Sequence, residues 1–266
     1  MQEIISVNND LVKETVKFQQ KKYRDKENKF LLEGFKSIEE AFDAEIEIEY
    51  AFVLKEKAGQ YKFLGDKVIL TTEPVLKKIS TTDSAPDAVA VGVKKHYDNS
   101  ILNSAKKVVL LENIKDLGNL GTILRTSTAF GADAVVLFGS ECADLYNPKC
   151  VRSSVGNLWK IPVLYIRDIQ ELEKYFSDFQ RIATLPRAEK YLKDFKCNDK
   201  YLIMFGSEAD GLSDELVNFS TDSVKIEMAS SVESLNLSIS CAVVLYKLFS
   251  VSYTHLRAHE TPEHLV

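Results

Sequence analysis

From Val108 onward, short apolar runs return again and again, each parted from the next by a helical stretch. The runs are Val108 to Leu111, Ala134 to Phe138, Pro162 to Ile166, Arg181 to Thr184, Leu202 to Phe205 and Val224 to Ile226. Helical segments lie between them, notably Leu120 to Phe130 and Ile169 to Phe179. A last helix carries Leu237, Cys241, Val244, Leu245 and Leu248 as one apolar stripe. Strands that alternate with helices pair in parallel, because each helix carries the chain back to the same end of the sheet. Unbroken apolar runs mean that both faces are covered. The expectation is an α/β domain over 107–249 with a mainly parallel sheet.

The stretch before it reads as a smaller α/β unit, 1–93. Ile5 to Phe18 has helical spacing, Phe30 to Leu32 is a short strand, and Ser37 to Phe42 looks helical. Tyr50 to Leu54, Val68 to Thr71 and Ala88 to Val93 read as strands, with Val75 to Ile79 as a short helix. Lys94 to Ser104 is polar and without period, which places a linker at 94–106. Ser250 to Val266 carries His255, His259 and His264, three of the 4 histidines, and no apolar period. The string Tyr253 to Thr261 resembles translated vector read-through, so 250–266 is expected to be a disordered or foreign tail and not a metal site.

Several function classes drop out. No apolar stretch is long enough for a membrane span, and Met1 to Asn9 lacks a basic region followed by an apolar block, so a cytoplasmic protein is expected. Cys142, Cys150, Cys197 and Cys241 form no close pairs and have no histidine at metal-ligand spacing; they read as reduced, packed thiols, and no metal is expected. The net charge of -5 rules out a histone-like polycation but leaves room for a local basic patch. One candidate is Lys17 to Lys29, where Lys21, Lys22, Arg24, Lys26 and Lys29 crowd around Tyr23. It is either a solvated helix end or a surface that tracks phosphates.

Three polar loops follow apolar strands. Loop I, Asp116 to Arg125, has Gly118 and Gly121 around Asn119, which is suited to cap the following helix or to bond a substrate, with Arg125 early in that helix. Loop II, Gly206 to Ser213, sets Glu208 between two glycines, and Ser213 with Glu215 looks like a helix start. Loop III, Met228 to Asn236, offers Ser230, Ser231, Ser234 and Asn236 ahead of the last helix. The one histidine outside the tail, His96, is far from these serines in sequence, which argues against a Ser–His–acid triad. A dinucleotide fingerprint also fits poorly, which sets a nucleotide-dependent oxidoreductase aside.

Together the loops resemble the signature motifs of the SpoU (TrmH-like) RNA 2′-O-ribose methyltransferases of the SPOUT class. The first motif is Asp116-Leu117-Gly118-Asn119-Leu120-Gly121-Thr122-Ile123-Leu124-Arg125-Thr126, and the second is Gly206-Ser207-Glu208-Ala209-Asp210-Gly211-Leu212. The third runs from Ile226 through Met228 and Ser234-Leu235-Asn236 to Ser238, and an intermediate segment matches at Asn147-Pro148-Lys149, Arg152, Ser154 and Gly156. Arg24 with Phe30-Leu31-Leu32-Glu33-Gly34 is similar to the family's RNA-binding domain. Leu117 and Glu227 stand where the family has proline, and Ser230 where it has glycine.

The resemblance implies a deep trefoil knot in the C-terminal domain, a homodimer, and S-adenosylmethionine held by Gly206, Ile226, Met228 and Leu235, with Leu185 after the fourth strand. It implies catalysis by Arg125, with Asn119, Ser234 and Asn236 orienting it and the ribose and Glu208 fixing loop II. RNA would be held by Lys21, Lys22, Arg24, Lys29 and Arg152. Ribosomal RNA is the expected substrate, since the two-domain layout resembles ribosomal RNA enzymes. The alternative is a non-catalytic RNA-binding protein of the same fold.

Overall fold

The computed structural model describes residues 2–232 and 234–256, with side chains as far as Leu248. The elements in chain order begin β1 (Gln2–Glu3), α1 (Asp10–Lys17), α2 (Lys21–Glu27), β2 (Lys29–Glu33), α3 (Phe35–Asp43), β3 (Ile48–Leu54), β4 (Val68–Thr71), α4 (Glu73–Ile79) and β5 (Ala88–Val93). They continue with β6 (Lys107–Glu112), α5 (Leu117–Ala129), β7 (Ala134–Phe138), α6 (Pro148–Ser154), β8 (Val163–Ile166), α7 (Ile169–Phe176), β9 (Gln180–Thr184) and β10 (Lys190–Tyr191). Last come β11 (Tyr201–Phe205), α8 (Asp214–Phe219), β12 (Asp222–Lys225) and α9 (Leu237–Leu256). No helix among the described residues is long and apolar enough to cross a membrane.

The chain divides into two compact units. The first is Met1–His96 with Asp144–Lys160; the second is Tyr97–Ala143 with Ile161–Val266. In the first, a five-stranded sheet runs β1-β4-β3-β5-β2, with β5 antiparallel to both its neighbours. Helix α1 starts later than its apolar spacing suggests, because the Asn9 side chain accepts from Leu11 N at 2.9 Å and fixes the start at Asp10.

The segment Asp144–Lys160 lies in the 107–249 span by sequence yet packs in the first unit. Phe30 of β2 meets Tyr146 at 5.0 Å and Trp159 at 5.1 Å between ring centroids. Arg24 pairs with Asp144, Arg152 with Glu33, and Lys160 with Glu40 at 2.7 Å. The expected linker, 94–106, is not a free connection either. Lys94 pairs with Asp25 at 2.6 Å, and Leu102 and Ala105 are buried in the core of the second unit. Polarity without period marked the segment as irregular, but it did not reveal the few apolar side chains that anchor it.

The second unit is a seven-stranded sheet in the order β10-β12-β9-β11-β6-β7-β8, and every pairing is parallel. Every residue of β7 and β11 is buried, as the unbroken apolar runs required. From β6 the chain moves outward through β7 to β8, then crosses to β9 and the other side. β6 and β11 are neighbours in register, Leu111 opposite Phe205. Two adjacent strands whose connections leave in opposite directions open a crevice at their carboxyl ends. Loops I and II leave the sheet there. The apolar stripe of α9 buries Cys241, Val244, Leu245 and Leu248, each worth about 1.5–3 kcal/mol for a large aliphatic side chain. Helix α9 continues to Leu256, into the span 250–266 expected to be a tail; His259 and His264 lie outside the described residues.

All four cysteines are free thiols. Burial pushes the Cys150 thiol up to about 12 and Cys241 higher still, so both stay protonated and unreactive near neutral pH. No cluster of three metal-ligating side chains occurs among the described residues.

Candidate functional site

Loop I is shorter than the glycines suggest. Asp116 is the cap of α5: its Oδ1 accepts from Asn119 N at 2.7 Å. Helix α5 therefore starts at Leu117 and takes in Gly118, Asn119 and Gly121. Leu117 occupies the first helical position, where proline is welcome but not needed, so the departure costs the helix little. The cap role expected as one option for Asn119 belongs to Asp116, which frees the Asn119 amide to reach outward.

That amide is the hinge of the site. Asn119 Nδ2 donates to Glu208 Oε1 of loop II at 3.0 Å. Asn236 Nδ2 of loop III donates to Asn119 Oδ1 at 3.1 Å. Asn236 Oδ1 in turn accepts from Ser238 N at 2.9 Å and Ser238 Oγ at 2.6 Å, which caps α9. The chain of bonds has only one polarity. Backbone N–H groups at the start of α9 demand an acceptor, so Asn236 must turn its oxygen to them and its NH₂ to Asn119. Asn119 must then turn its own NH₂ to Glu208, a carboxylate that can only accept. Three loops far apart in sequence are thus tied by two asparagines, and Asn119 is almost fully buried.

Loop II is a tight hairpin. Ser207 and Gly211 exchange backbone hydrogen bonds of 3.1 Å each way. Its far end is anchored by Glu112, the last residue of β6, whose Oε2 accepts from Ser213 N at 2.8 Å. Glu112 was not foreseen. Its only sequence signal is a carboxylate closing an otherwise apolar strand, in a position that the structure buries. Ser213 caps α8, as its spacing to Glu215 suggested.

Between loops II and III, over the carboxyl ends of β9, β11 and β12, lies a cleft of about 750 Å³. Its walls include Leu185, Gly206, Ile226, Met228 and Leu235, which are all five expected cofactor contacts, together with Ser234 and Glu208. Val244 of α9 also faces it and had no sequence signal beyond its place in the apolar stripe. The size lies within the usual range for small-molecule sites, roughly 300–1,000 Å³. Apolar side chains beside the polar backbone of a hairpin suit a ligand with an aromatic base at one end and charged groups at the other. Glu227 turns outward and pairs with Lys193 at 2.7 Å. Ser230 has no positive φ, so the glycine it replaces was not required for backbone conformation.

Arg125 lies in the third turn of α5, exposed, and does not line the cleft. It makes no ion pair among the described residues. The expected RNA contacts divide. Lys21 and Lys22 are exposed, although Lys21 pairs with Asp25. Arg24 is only 1% exposed; it pairs with Asp144 and donates to the carbonyls of Phe18 and Gln19, both at 2.8 Å. Lys29 pairs with Glu49 at 2.8 Å, and Arg152 with Glu33 and the Thr81 hydroxyl. These three cations hold the first unit together in the structure. Their charge was legible in the sequence; the carboxylates that claim them come from distant segments.

The model of the SpoU rRNA methylase family matches residues 106–246, and that of an MRM3-like substrate binding domain matches residues 9–90. An uncharacterized tRNA/rRNA methyltransferase of Synechocystis sp. is 32% identical over 253 residues, covering 92% of each chain. The 23S rRNA (guanosine(2553)-2′-O)-methyltransferase of Bacillus subtilis is 28% identical over 251 residues, 93% of this chain and 99% of the relative. The crystal structure of an AdoMet-bound rRNA methyltransferase from Sinorhizobium meliloti superposes with a TM-score of 0.83 at 25% identity, covering 96% of this chain and 98% of the other.

Proposed function

This chain belongs to the SpoU rRNA methylase family, and on that premise we propose that its three bonded loops hold S-adenosylmethionine beside a ribose and help the 2′-hydroxyl to lose its proton. The protein is an S-adenosylmethionine-dependent RNA 2′-O-ribose methyltransferase acting on ribosomal RNA. The observation that carries the reading of the site is the Glu208–Asn119–Asn236 chain, which joins one polar residue from each of the three motifs.

The cofactor supplies a methyl group already activated by a sulfonium. Leu185, Ile226, Met228 and Leu235 would give the cofactor apolar walls, and Gly206 lets loop II fold back closely on the Gly211–Leu212 backbone beside it. Ser234 and Asn236 orient the ribose. Arg125 stabilises the oxyanion that develops on the 2′-oxygen. A guanidinium stays protonated at any working pH, so its part is electrostatic. Glu208 holds Asn119, and through it the start of α5, in register with loop III. The methyl acceptor therefore meets a fixed constellation and not three independent loops.

The finer parts of the same reading are the trefoil knot, the dimer and the cytoplasmic location. Loops II and III wrap one cleft from β11 and β12, which supports the knotted path implied by the motifs. The dimer is supported by α9, where Ile239, Val243 and Tyr246 are exposed by 53%, 39% and 64% at helical spacing, a strip too apolar to face water without purpose. Replacing Ile239 and Val243 by aspartate is expected to halve the mass measured by light scattering. A wild-type protein that is already monomeric at micromolar concentration would remove the dimer from the account. The activity itself is tested with unmodified bacterial 23S ribosomal RNA and labelled cofactor. Label should appear in a ribose 2′-O-methyl nucleoside after digestion. Failure to bind S-adenosylmethionine in calorimetry would instead favour a non-catalytic RNA-binding protein.

A further inference from the structure

The lysines at the α1–α2 end of the first unit are of two kinds. Lys21, Lys26, Lys29 and Lys94 each hold a carboxylate. Lys17, Lys22, Lys77 and Lys78 are exposed and have no ion-pair partner among the described residues. The two pairs come from distant parts of the chain, and one side chain joins those parts. Gln19, in the turn between α1 and α2, donates through Nε2 to the carbonyls of Lys78, Ile79 and Ser80 at 3.2, 2.8 and 3.2 Å. Carbonyls at a helix end have no partner within the helix, so the Gln19 amide caps α4 and pins it to the turn. Beneath, Val12, Phe18, Val75, Leu76 and Ile79 share one buried cluster. Tyr23 lies at the same place, with the Lys17 ammonium 5.9 Å and the Lys22 ammonium 5.6 Å from its ring centroid.

Gathered cations without counter-charges repel one another and weaken the free protein. Lys77 also donates to the Thr82 carbonyl at 3.2 Å, and lysines in the last turn of α4 favour the helix dipole, but neither effect explains Lys17 and Lys22. A ligand that relieves all four must carry repeated negative charge across the joined ends of two elements. A sugar-phosphate backbone does so, and an aromatic ring among the cations adds a face for a base or sugar. We propose that Lys17 and Lys22, which flank Tyr23, together with Lys77 and Lys78 on the helix end that Gln19 pins to the same turn, form the shelf on which the first unit holds the phosphate backbone of the RNA substrate. This rests on the reading of the chain as an RNA methyltransferase. It moves the contact surface away from Arg24 and Lys29, which the fold consumes, to Lys77 and Lys78, which no linear motif joins to it.

The test compares the full-length wild type with K17E/K22E, K77E/K78E and the milder K77Q/K78Q. Binding to unmodified bacterial 23S ribosomal RNA is measured between about 50 and 200 mM salt. Each reversed pair is expected to weaken binding about tenfold at the low-salt end. It should also lower the slope of log affinity against log salt by about 1.4–1.8, the value for two lost phosphate contacts. KM for RNA should rise, while kcat at saturating RNA, cofactor affinity and the Tm of K77Q/K78Q stay at wild-type values. Unchanged RNA affinity and slope in both reversed pairs, with a wild type that methylates, would overturn the shelf alone. So would a loss of affinity that follows a loss of Tm across the series. A wild type that neither binds RNA nor methylates it would overturn the functional reading, and the shelf with it.

Discussion

Replacing Arg125 with alanine is expected to lower the rate of methyl transfer by about 10²–10³-fold, the usual loss when one preorganised donor to a developing oxyanion is removed. Cofactor affinity should not change, because Arg125 does not line the cleft. A ribose hydroxyl is a weak acid, so the anion that develops on it gains from a cation beside it. The third turn of α5 fixes where the Arg125 side chain starts; the exposed guanidinium is ordered when it meets the RNA and, among the described residues, is not neutralised by a carboxylate. Arg125→Lys keeps the charge but loses the planar fork, so it should restore only part of the rate. Single-turnover transfer and calorimetry with S-adenosylmethionine separate the two quantities. Near-normal turnover in the alanine variant would take Arg125 out of the mechanism.

Gly206→Ala should weaken cofactor binding by roughly 30-fold, the equivalent of about 2 kcal/mol. A Cβ placed on Gly206 would fall 1.9 Å from the Gly211 carbonyl carbon, 2.1 Å from Leu212 N and 2.2 Å from Gly211 O. All three are backbone atoms, so no side chain can swing aside. The hairpin must open and give up both Ser207–Gly211 hydrogen bonds, at about 1 kcal/mol each. Opening it also draws Glu208 away from Asn119. Gly211→Ala makes a useful contrast. Gly211 has φ +71° but open space around its Cα, so alanine there costs about 1–2 kcal/mol of backbone strain without a collision. Isothermal titration with S-adenosylmethionine on both variants checks the ranking. Equal affinities for wild type and Gly206→Ala would show that the hairpin is not part of the cofactor site.

Most of the second unit could be read without coordinates. Six of its seven strands follow the apolar runs to within a residue or two, because a buried strand tolerates few polar side chains; the seventh, β10, is a short exposed edge strand without an apolar run. The five cofactor candidates, four chosen by motif position and Leu185 by its place after the fourth strand, all line one cleft. That outcome follows from topology, since motifs placed after strands of a parallel sheet emerge at the same end. Asn119 was harder. Its residue type suits a helix cap as well as a bridge between loops, and the choice was made by Asp116 three residues earlier.

The order of the longer buried strands, the face of α9 that is buried and the polar character of the three loops were written in the sequence, because periodicity and turn chemistry act over a few residues. The tertiary structure alone decided which charges are free. Arg24, Lys29 and Arg152 look in the sequence like Lys22 and Lys78, but Asp144, Glu49 and Glu33 neutralise the first three and leave the other two to solvent. Only the fold shows this, because ion pairing falls off within a few ångströms in water and its partners here lie tens of residues away along the chain.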